Sequence, residues 1–372
     1  MTGTNHVLLL SCLLSRLASL FGSPADVEHQ WALLGSCPSW HADPLKCTPN
    51  ITIHEIQGIH QYSPYAGAAV AVAGVVTGIV DRSGFYMQDP QSDDDPRTSE
   101  GIYVYTHKAG LQAANVSVGD MVTVRGTVSE FRYDSAALPL TEIVTDMDQQ
   151  GVTKCPGLFG PDSIIHPVSI GCHAGGPGER TPPLAVIKND GLNDSLDIAE
   201  DGLDFYESLE GMLVAVKDPI AVGATDRFAA AWVVNNRGAC SSGCNSRKGI
   251  TAAPETNDFN PERIQLVTSS AIRRPSPFTV GDTVLEGQAE GIMSYGWDNF
   301  RLLLTKNITP ESGGMQPTRN SIFVPEDRAT HLTFGSYNIE NFHISGERPS
   351  RIAKQIVENL GAPAVLALQE VQ

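Results

Sequence analysis

The sequence predicts a mainly β chain in which two small β-barrel modules are followed by a strand–helix–strand unit of α/β type. Three observations carry this expectation. Short runs of β-branched and aromatic residues recur between Gly-, Asp-, Ser- and Pro-rich turns from Val70 to Leu304, as a small barrel or sandwich requires. A Val-Gly-Asp turn that opens a strand occurs twice, at 118–120 and 280–282, which points to an internal duplication. After Leu332 the apolar pattern changes from strand to helix and back to strand.

Taken in order, Val7 to Leu14 reads VLLLSCLL. This run is too short to span a membrane and lies where the apolar core of a secretory signal belongs. Cleavage after Ala25 would place small Ser23 near the cut, so residues 1–25 are expected to be a signal peptide; an amphipathic N-terminal helix is the alternative. Residues 52–150 form the first β module, with strands at Val70–Val76, Gly84–Gln88, Gly101–Tyr105 and Met121–Val128. Residues 151–200, rich in Gly, Pro and polar side chains, read as a connector. Residues 201–310 repeat the rhythm at Gly211–Val216, Trp232–Val234, Ile264–Leu266, Val280–Gly287 and Phe300–Leu304. Residues 311–330 read as a linker, and 331–372 hold the α/β unit.

The chain has 372 residues, with 25 Lys+Arg against 42 Asp+Glu for a formal charge of −17. That length accommodates about two or three domains. The 35 Gly and 24 Pro follow no fixed period, which excludes a collagen-like chain. Such acidity repels phosphate at long range and argues against a basic nucleic-acid coat, so nucleic-acid chemistry would need local cations or a bound metal. Without Cys12 six cysteines remain. An even set suits an exported protein, and the simplest local pairing is Cys37–Cys47, Cys155–Cys172 and Cys240–Cys244. Zinc at Cys240 and Cys244 is the rival, but no second Cys/His pair lies near. Glycosylation sequons occur at Asn50, Asn115, Asn193 and Asn307. No other stretch is apolar enough to span a bilayer, and nothing marks a protein partner.

In the last unit Leu332, Phe334 and Ser336 alternate toward Asn338, and Val365–Leu368 is a short apolar strand. Between them Ile352, Ile356, Val357 and Leu360 fall at helical spacing, with Pro349 near the start and Gly361 and Pro363 at the end. A right-handed crossover makes the two strands parallel, so Asn338 and Glu370 emerge at one rim. A carboxylate and an amide oxygen there are hard ligands suited to Mg²⁺, Mn²⁺ or Ca²⁺; a solvated strand end is the ordinary alternative.

FGSYNIENF followed by RIAKQIVENLGAPAVLALQEVQ resembles the opening of the endonuclease/exonuclease/phosphatase superfamily, the DNase-I-like fold. The resemblance implies that 331–372 is the first βαβ of an incomplete α/β four-layer sandwich. It implies that Asn338 helps to bind metal or phosphate, that Glu370 binds the metal, and that Glu340 is a second acidic group near it. The upstream segments GFYMQDP, TSEGIYVYT, VGDMVTVRGTVSEF, SLEGMLV, DFNPERIQL and FTVGDTVLEGQAEGIMSY are similar to the branch of large extracellular nucleases with OB-like modules. The implied protein is the N-terminal part of a secreted phosphodiesterase that uses Mg²⁺ or Mn²⁺ on DNA or RNA. The later Asp-x-Asn and Asp-His motifs are absent before Gln372, so the chain as given is expected to be catalytically incomplete. The alternative is a noncatalytic extracellular OB-like binding module with a remnant nuclease tail.

Two further clusters are candidates. Asp89, Asp93, Asp94 and Asp95 offer hard oxygens for Ca²⁺, or form a solvated loop. Tyr86, Tyr103, Tyr105 and Phe131 supply rings on which bases could stack, although strand alternation sends at least half of such residues to the core. His54, His60, His107, His166 and His173 show no catalytic spacing.

Overall fold

The computed structural model describes residues 46–371 apart from 80, 136, 146–150, 161–162, 173–178, 187–192, 316–328 and 345. The signal sequence, Cys37 and most of the 311–330 linker therefore lie outside the described residues.

The first module is a closed barrel of β1 (Ala69–Gly78), β2 (Gly84–Gln88), β3 (Gly101–Tyr105), β4 (Met121–Phe131) and β5 (Leu140–Thr145). Its order is β1-β2-β3-β5-β4, and β4 returns to pair with β1. Every pairing is antiparallel except β3 with β5. This is the five-stranded Greek-key barrel of the OB type. Helix α1 (Ile53–Gln57) starts with a capping box in which Glu55 accepts the Thr52 main-chain N–H at 2.9 Å. It drives Ile53 and Ile56 into the core beside Val72, Phe85, Met87, Val104, Val122 and Ile143. Helix α2 (His107–Ala114) bridges β3 and β4.

The second module repeats that order with its first and fourth strands each broken in two. After α3 (Gly202–Glu207), β9 (Leu213–Lys217) and β10 (Ile220–Ala221) form one strand interrupted at Asp218-Pro219; Pro219 has no N–H to give to a ladder. Then come β11 (Ala230–Val234), β12 (Ile264–Thr268), β13 (Thr283–Val284), β14 (Gln288–Gly296) and β15 (Asn299–Leu304). The β12–β15 pair is parallel, and β10–β13 with β9–β14 join first strand to fourth. The strand expected over 280–287 thus stops at Val284 and resumes at Gln288, because Gly287 turns at φ 73° and its carbonyl accepts from Asp218 N at 2.7 Å.

The twin turns match atom for atom. Gly119 and Gly281 both sit at φ 90°. Asp120 accepts from Ser117 N, and Asp282 from Thr279 N, each at 2.7 Å. Each glycine N–H reaches the first strand, Gly119 to Val76 O at 2.8 Å and Gly281 to Ala221 O at 2.7 Å.

Segment 151–200 does more than connect. It supplies β6 (Val152–Lys154), which pairs with β4, and β7 (Val168–Ile170) and β8 (Glu179–Arg180), which extend the second sheet beside β9. At the other edge β16 (Pro310–Glu311) pairs with β13.

The cysteine pairing differs from the local one expected. Cys47 bonds Cys155, and Cys172 bonds Cys240, and Cys244 is exposed and has no disulfide partner among the described residues. Barrel closure is the reason. Ile51 bridges to Val72 of β1 while Cys155 follows the strand laid on β4, so residues 108 apart meet at the β1–β4 seam. Two disulfides fit an oxidising compartment.

The barrels share a core of Tyr86, Tyr103, Leu140, Leu213 and Ile292. Gln88 accepts the Leu213 main-chain N–H at 2.9 Å, and Glu210 accepts that of Thr141 at 3.0 Å. Gly101 and Gly211 touch backbone to backbone: a Cβ on Gly101 would lie 2.1 Å from the Gly211 carbonyl carbon.

In the last unit β17 (Phe334–Phe342), α4 (Arg348–Glu358) and β18 (Val365–Val371) follow in turn, and the strands are parallel with Phe334 opposite Val365 and Asn338 opposite Gln369. Phe334, Val357, Val365 and Val371 remain exposed. No helix among the described residues is long and apolar enough to cross a membrane.

Candidate functional site

Strands β2 and β3 turn Phe85, Met87, Ile102 and Val104 into the first barrel and Tyr86, Tyr103 and Tyr105 outward. The outward face is roofed by the β14–β15 hairpin of the second barrel. Between them lies a cleft of about 640 Å³ whose rim also takes Asp81 from the β1–β2 loop and Phe131 and Tyr133 from the end of β4 and beyond. All four aromatic residues singled out in the sequence, Tyr86, Tyr103, Tyr105 and Phe131, line it.

The deep wall is ordered by hydrogen bonds. Tyr86 and Tyr103 are cross-strand neighbours with ring centroids 4.8 Å apart. Tyr86 Oη and Ser294 Oγ are 2.8 Å apart, joining the barrels. Tyr103 Oη donates to Asp81 Oδ2 at 2.7 Å, while Asp81 Oδ1 accepts from Ser83 N and Gly84 N at 2.6 and 2.9 Å. Burial pushes both phenols above their ordinary range.

The mouth is aromatic and open. Tyr133 and Trp297, one from each barrel, meet at 4.6 Å, and Trp297 is 64% exposed. Trp297 and Asp298 form the two-residue tip between paired Gly296 and Asn299, at φ 56° and 60°. Tips with two positive φ values normally take Asn-Gly or Asp-Gly. A bulky ring held there is strained by about 1–2 kcal/mol, and such outliers cluster at ligand clamps.

Two polar groups on the cleft have no hydrogen-bond partner among the described residues, one of them, Arg301 Nε, fully buried. Glu142 on β5 is 7% exposed, and its carboxyl has no hydrogen-bond partner among the described residues. Burial foremost, then the nearby charges of Glu130 and Asp81, push its pKa up to about 7. Arg301 Nε is buried without a partner among the described residues. Sequence reasoning missed Glu142, Arg301, Tyr133 and Trp297. The signal for Trp297 was present in Tyr295-Gly296-Trp297-Asp298-Asn299, a hairpin tip carrying a ring where a turn residue belongs.

At the rim of the last unit Asn338 and Glu370 do come together. Asn338 Nδ2 donates to Glu370 Oε1 at 2.7 Å, and Asn341 N donates to Oε2 at 2.8 Å, which lowers the Glu370 pKa. Asn338 Oδ1 accepts from Glu340 N at 2.8 Å. Both Glu370 oxygens and both Asn338 side-chain atoms thus already have partners within this unit.

The aspartates of 89–95 serve their own loop. Asp95 grips Arg97 at 2.7 Å, Asp93 accepts from Asp95 N and Thr98 Oγ1, and Asp89 accepts from Gln91 N. Only Asp93 joins a set with ligand atoms mutually within 4.8 Å, alongside His54 and Glu100. There His54 Nδ1 lies 3.0 Å from Glu100 Oε2, so these two are already partners.

A domain of unknown function, DUF8508, matches residues 176–313, the stretch that carries the second barrel through β16. Among curated proteins none matches this chain. Solved structures with some likeness include the hypothetical protein ygiW from E. coli, at 15% identity over 24% of this chain and 77% of that one, TM-score 0.17. An OBody, AM3L09, bound to hen egg-white lysozyme aligns at 21% identity over 26% and 90%, TM-score 0.19. The wild-type single-stranded DNA binding protein from Thermus aquaticus aligns at 10% identity over 69% and 100%, TM-score 0.17. These alignments are loose, and the barrel topology stands on the strand pairings alone.

Proposed function

We propose that this chain is a secreted binding module in which two fused OB-type barrels hold a ring-bearing ligand, nucleic acid or oligosaccharide, in the cleft between them. One observation carries this: Trp297 is presented at a strained hairpin tip, facing Tyr133 across the mouth of an aromatic cleft. The strand 2–3 face and the adjoining loops are where OB-type barrels take oligonucleotides and oligosaccharides. The two disulfides and the apolar leader support secretion. Titrating the protein with single-stranded oligonucleotides and with neutral oligosaccharides, followed by tryptophan fluorescence, tests the reading. Trp297→Asn accepts the positive φ but removes the ring. It should weaken binding by about tenfold, the worth of one stacked ring, without lowering the melting temperature. Unchanged affinity in Trp297→Asn would sink the cleft.

A second reading is favoured by the contact between Asn338 and Glu370. Here the chain belongs to a metal-dependent nuclease, and Glu370 holds Mg²⁺ or Mn²⁺, with Ca²⁺ as the other candidate. Such an ion polarises a phosphoryl oxygen when bound. The chain's own part is to fix the carboxylate through Asn338 and Asn341, with Glu340 as a further acidic group beside it. Manganese binding followed by calorimetry should be lost in Glu370→Gln; retention of binding would remove this reading.

A further inference from the structure

The unsatisfied groups in the cleft narrow the ligand class. Resting on the reading that the cleft is a binding site, we propose that it takes an uncharged oligosaccharide, with ring faces on Trp297 and Tyr133 and hydroxyls bonded to Glu142 and Arg301.

Charge sets the first limit. Among the described residues the cleft is lined by two carboxyls, Asp81 and Glu142, and one cation, Arg301. Proteins that hold single strands run a positively charged groove along the phosphates. Here a phosphate would meet an acidic lining in a chain of net charge −17. A neutral ligand pays no such penalty. Hydrogen bonding points the same way. Glu142 faces the cleft with no hydrogen-bond partner among the described residues, able to accept or, when protonated, to donate, and Arg301 Nε is a buried donor in need of an acceptor. They form no ion pair with each other among the described residues. A sugar hydroxyl both donates and accepts, so adjacent hydroxyls of one ring satisfy the two groups together. Asp81 is already saturated by Tyr103, Ser83 and Gly84, which leaves Glu142 as the free carboxyl.

Shape agrees. At about 640 Å³ the cleft lies within the ~300–1,000 Å³ of small-molecule sites, so it suits a few sugar rings. The exposed rings of Phe131, Tyr133 and Trp297 give the apolar C–H faces of such rings a surface, while the tyrosine hydroxyls keep a polar edge.

The test is calorimetry on the full, oxidised protein with neutral hexasaccharides of glucose, mannose, xylose and N-acetylglucosamine, beside oligothymidylate and oligoadenylate. At least one hexasaccharide should bind with an affinity that high salt leaves unchanged. Glu142→Leu should weaken it by about tenfold, as expected for a lost hydrogen bond. Glu142→Gln keeps the size and shape of the side chain, so it should still fold cooperatively and show an intermediate loss. Salt-sensitive oligonucleotide binding that falls in Trp297→Asn, with no sugar bound, would overturn the carbohydrate assignment and leave the cleft intact. Sugar binding indifferent to Glu142→Leu and Glu142→Gln would overturn the role of Glu142 and with it the proposal. Binding of neither class would remove both the assignment and the cleft reading.

Discussion

Glu210 is buried where the barrels meet, its Oε1 accepting Thr141 N while its Oε2, like that of Glu207, has no hydrogen-bond partner among the described residues. Burial raises the pKa of both well above the ordinary 4.5, and it raises Glu130 and Glu142 as well. The folded chain therefore holds protons that the unfolded chain releases above pH 4.5, so this stability is present below that pH and lost as pH rises through the folded values. Glu55, Asp95, Asp282 and Glu286 have the opposite shift and lose their contribution as pH falls through their lowered values. The melting temperature should peak near pH 4–5 and fall steadily toward pH 7, and Glu142→Gln should flatten the fall. A melting temperature that rises between pH 5 and 7 would contradict this burial account. None of it was legible in the sequence, where Glu142 and Glu210 are two acidic residues among many. Their burial comes from the meeting of the two barrels, and no local pattern reports a partner surface. The aromatic residues were legible because Tyr86, Tyr103 and Tyr105 stand in strand alternation, with the core residues between them.

At the scale of elements, the duplicated Val-Gly-Asp turn was readable in the sequence. Its aspartate contacts are local, and they repeat together with the bond from each glycine to the first strand. The two glycines nevertheless differ in what surrounds them. A Cβ on Gly119 meets nothing within 4 Å, whereas one on Gly281 would lie 2.6 Å from Met315 Cγ. Gly119→Ala should cost about 1–2 kcal/mol, the left-handed backbone penalty alone, and Gly281→Ala about 1–3 kcal/mol more from overpacking. Equal losses in chemical denaturation would refute the distinction. The broken strands were not readable. Asp218-Pro219 and Gly287 interrupt paired strands at matching places, and each break is visible only beside the other. The disulfides failed for a related reason: spacing ranks cysteines along the chain, while closure of the barrel brings together the residues before β1 and after β6. In the last unit the parallel strands and their common rim were readable, because crossover handedness leaves one choice.

For the whole molecule, the decisive contact is the backbone meeting of Gly101 with Gly211. No side chain fits there, so the barrels approach closely enough for Gln88, Glu210 and Ser294 to reach across. Gly101→Ala should force the barrels apart. Its expected outcome is an increased radius of gyration in X-ray scattering and loss of cleft binding, with each barrel still folded; an unchanged radius would count against a fused pair. The bond from Cys47 to Cys155 has a different kind of consequence. It joins the two ends of the first barrel covalently, so tension applied along the chain passes from sulfur to sulfur and leaves the loop between them, residues 48–154, slack. When the chain is pulled from points outside 47–155, the first-barrel wall of the cleft carries no load along its backbone, and the part of the second barrel beyond the Cys172–Cys240 bond yields first.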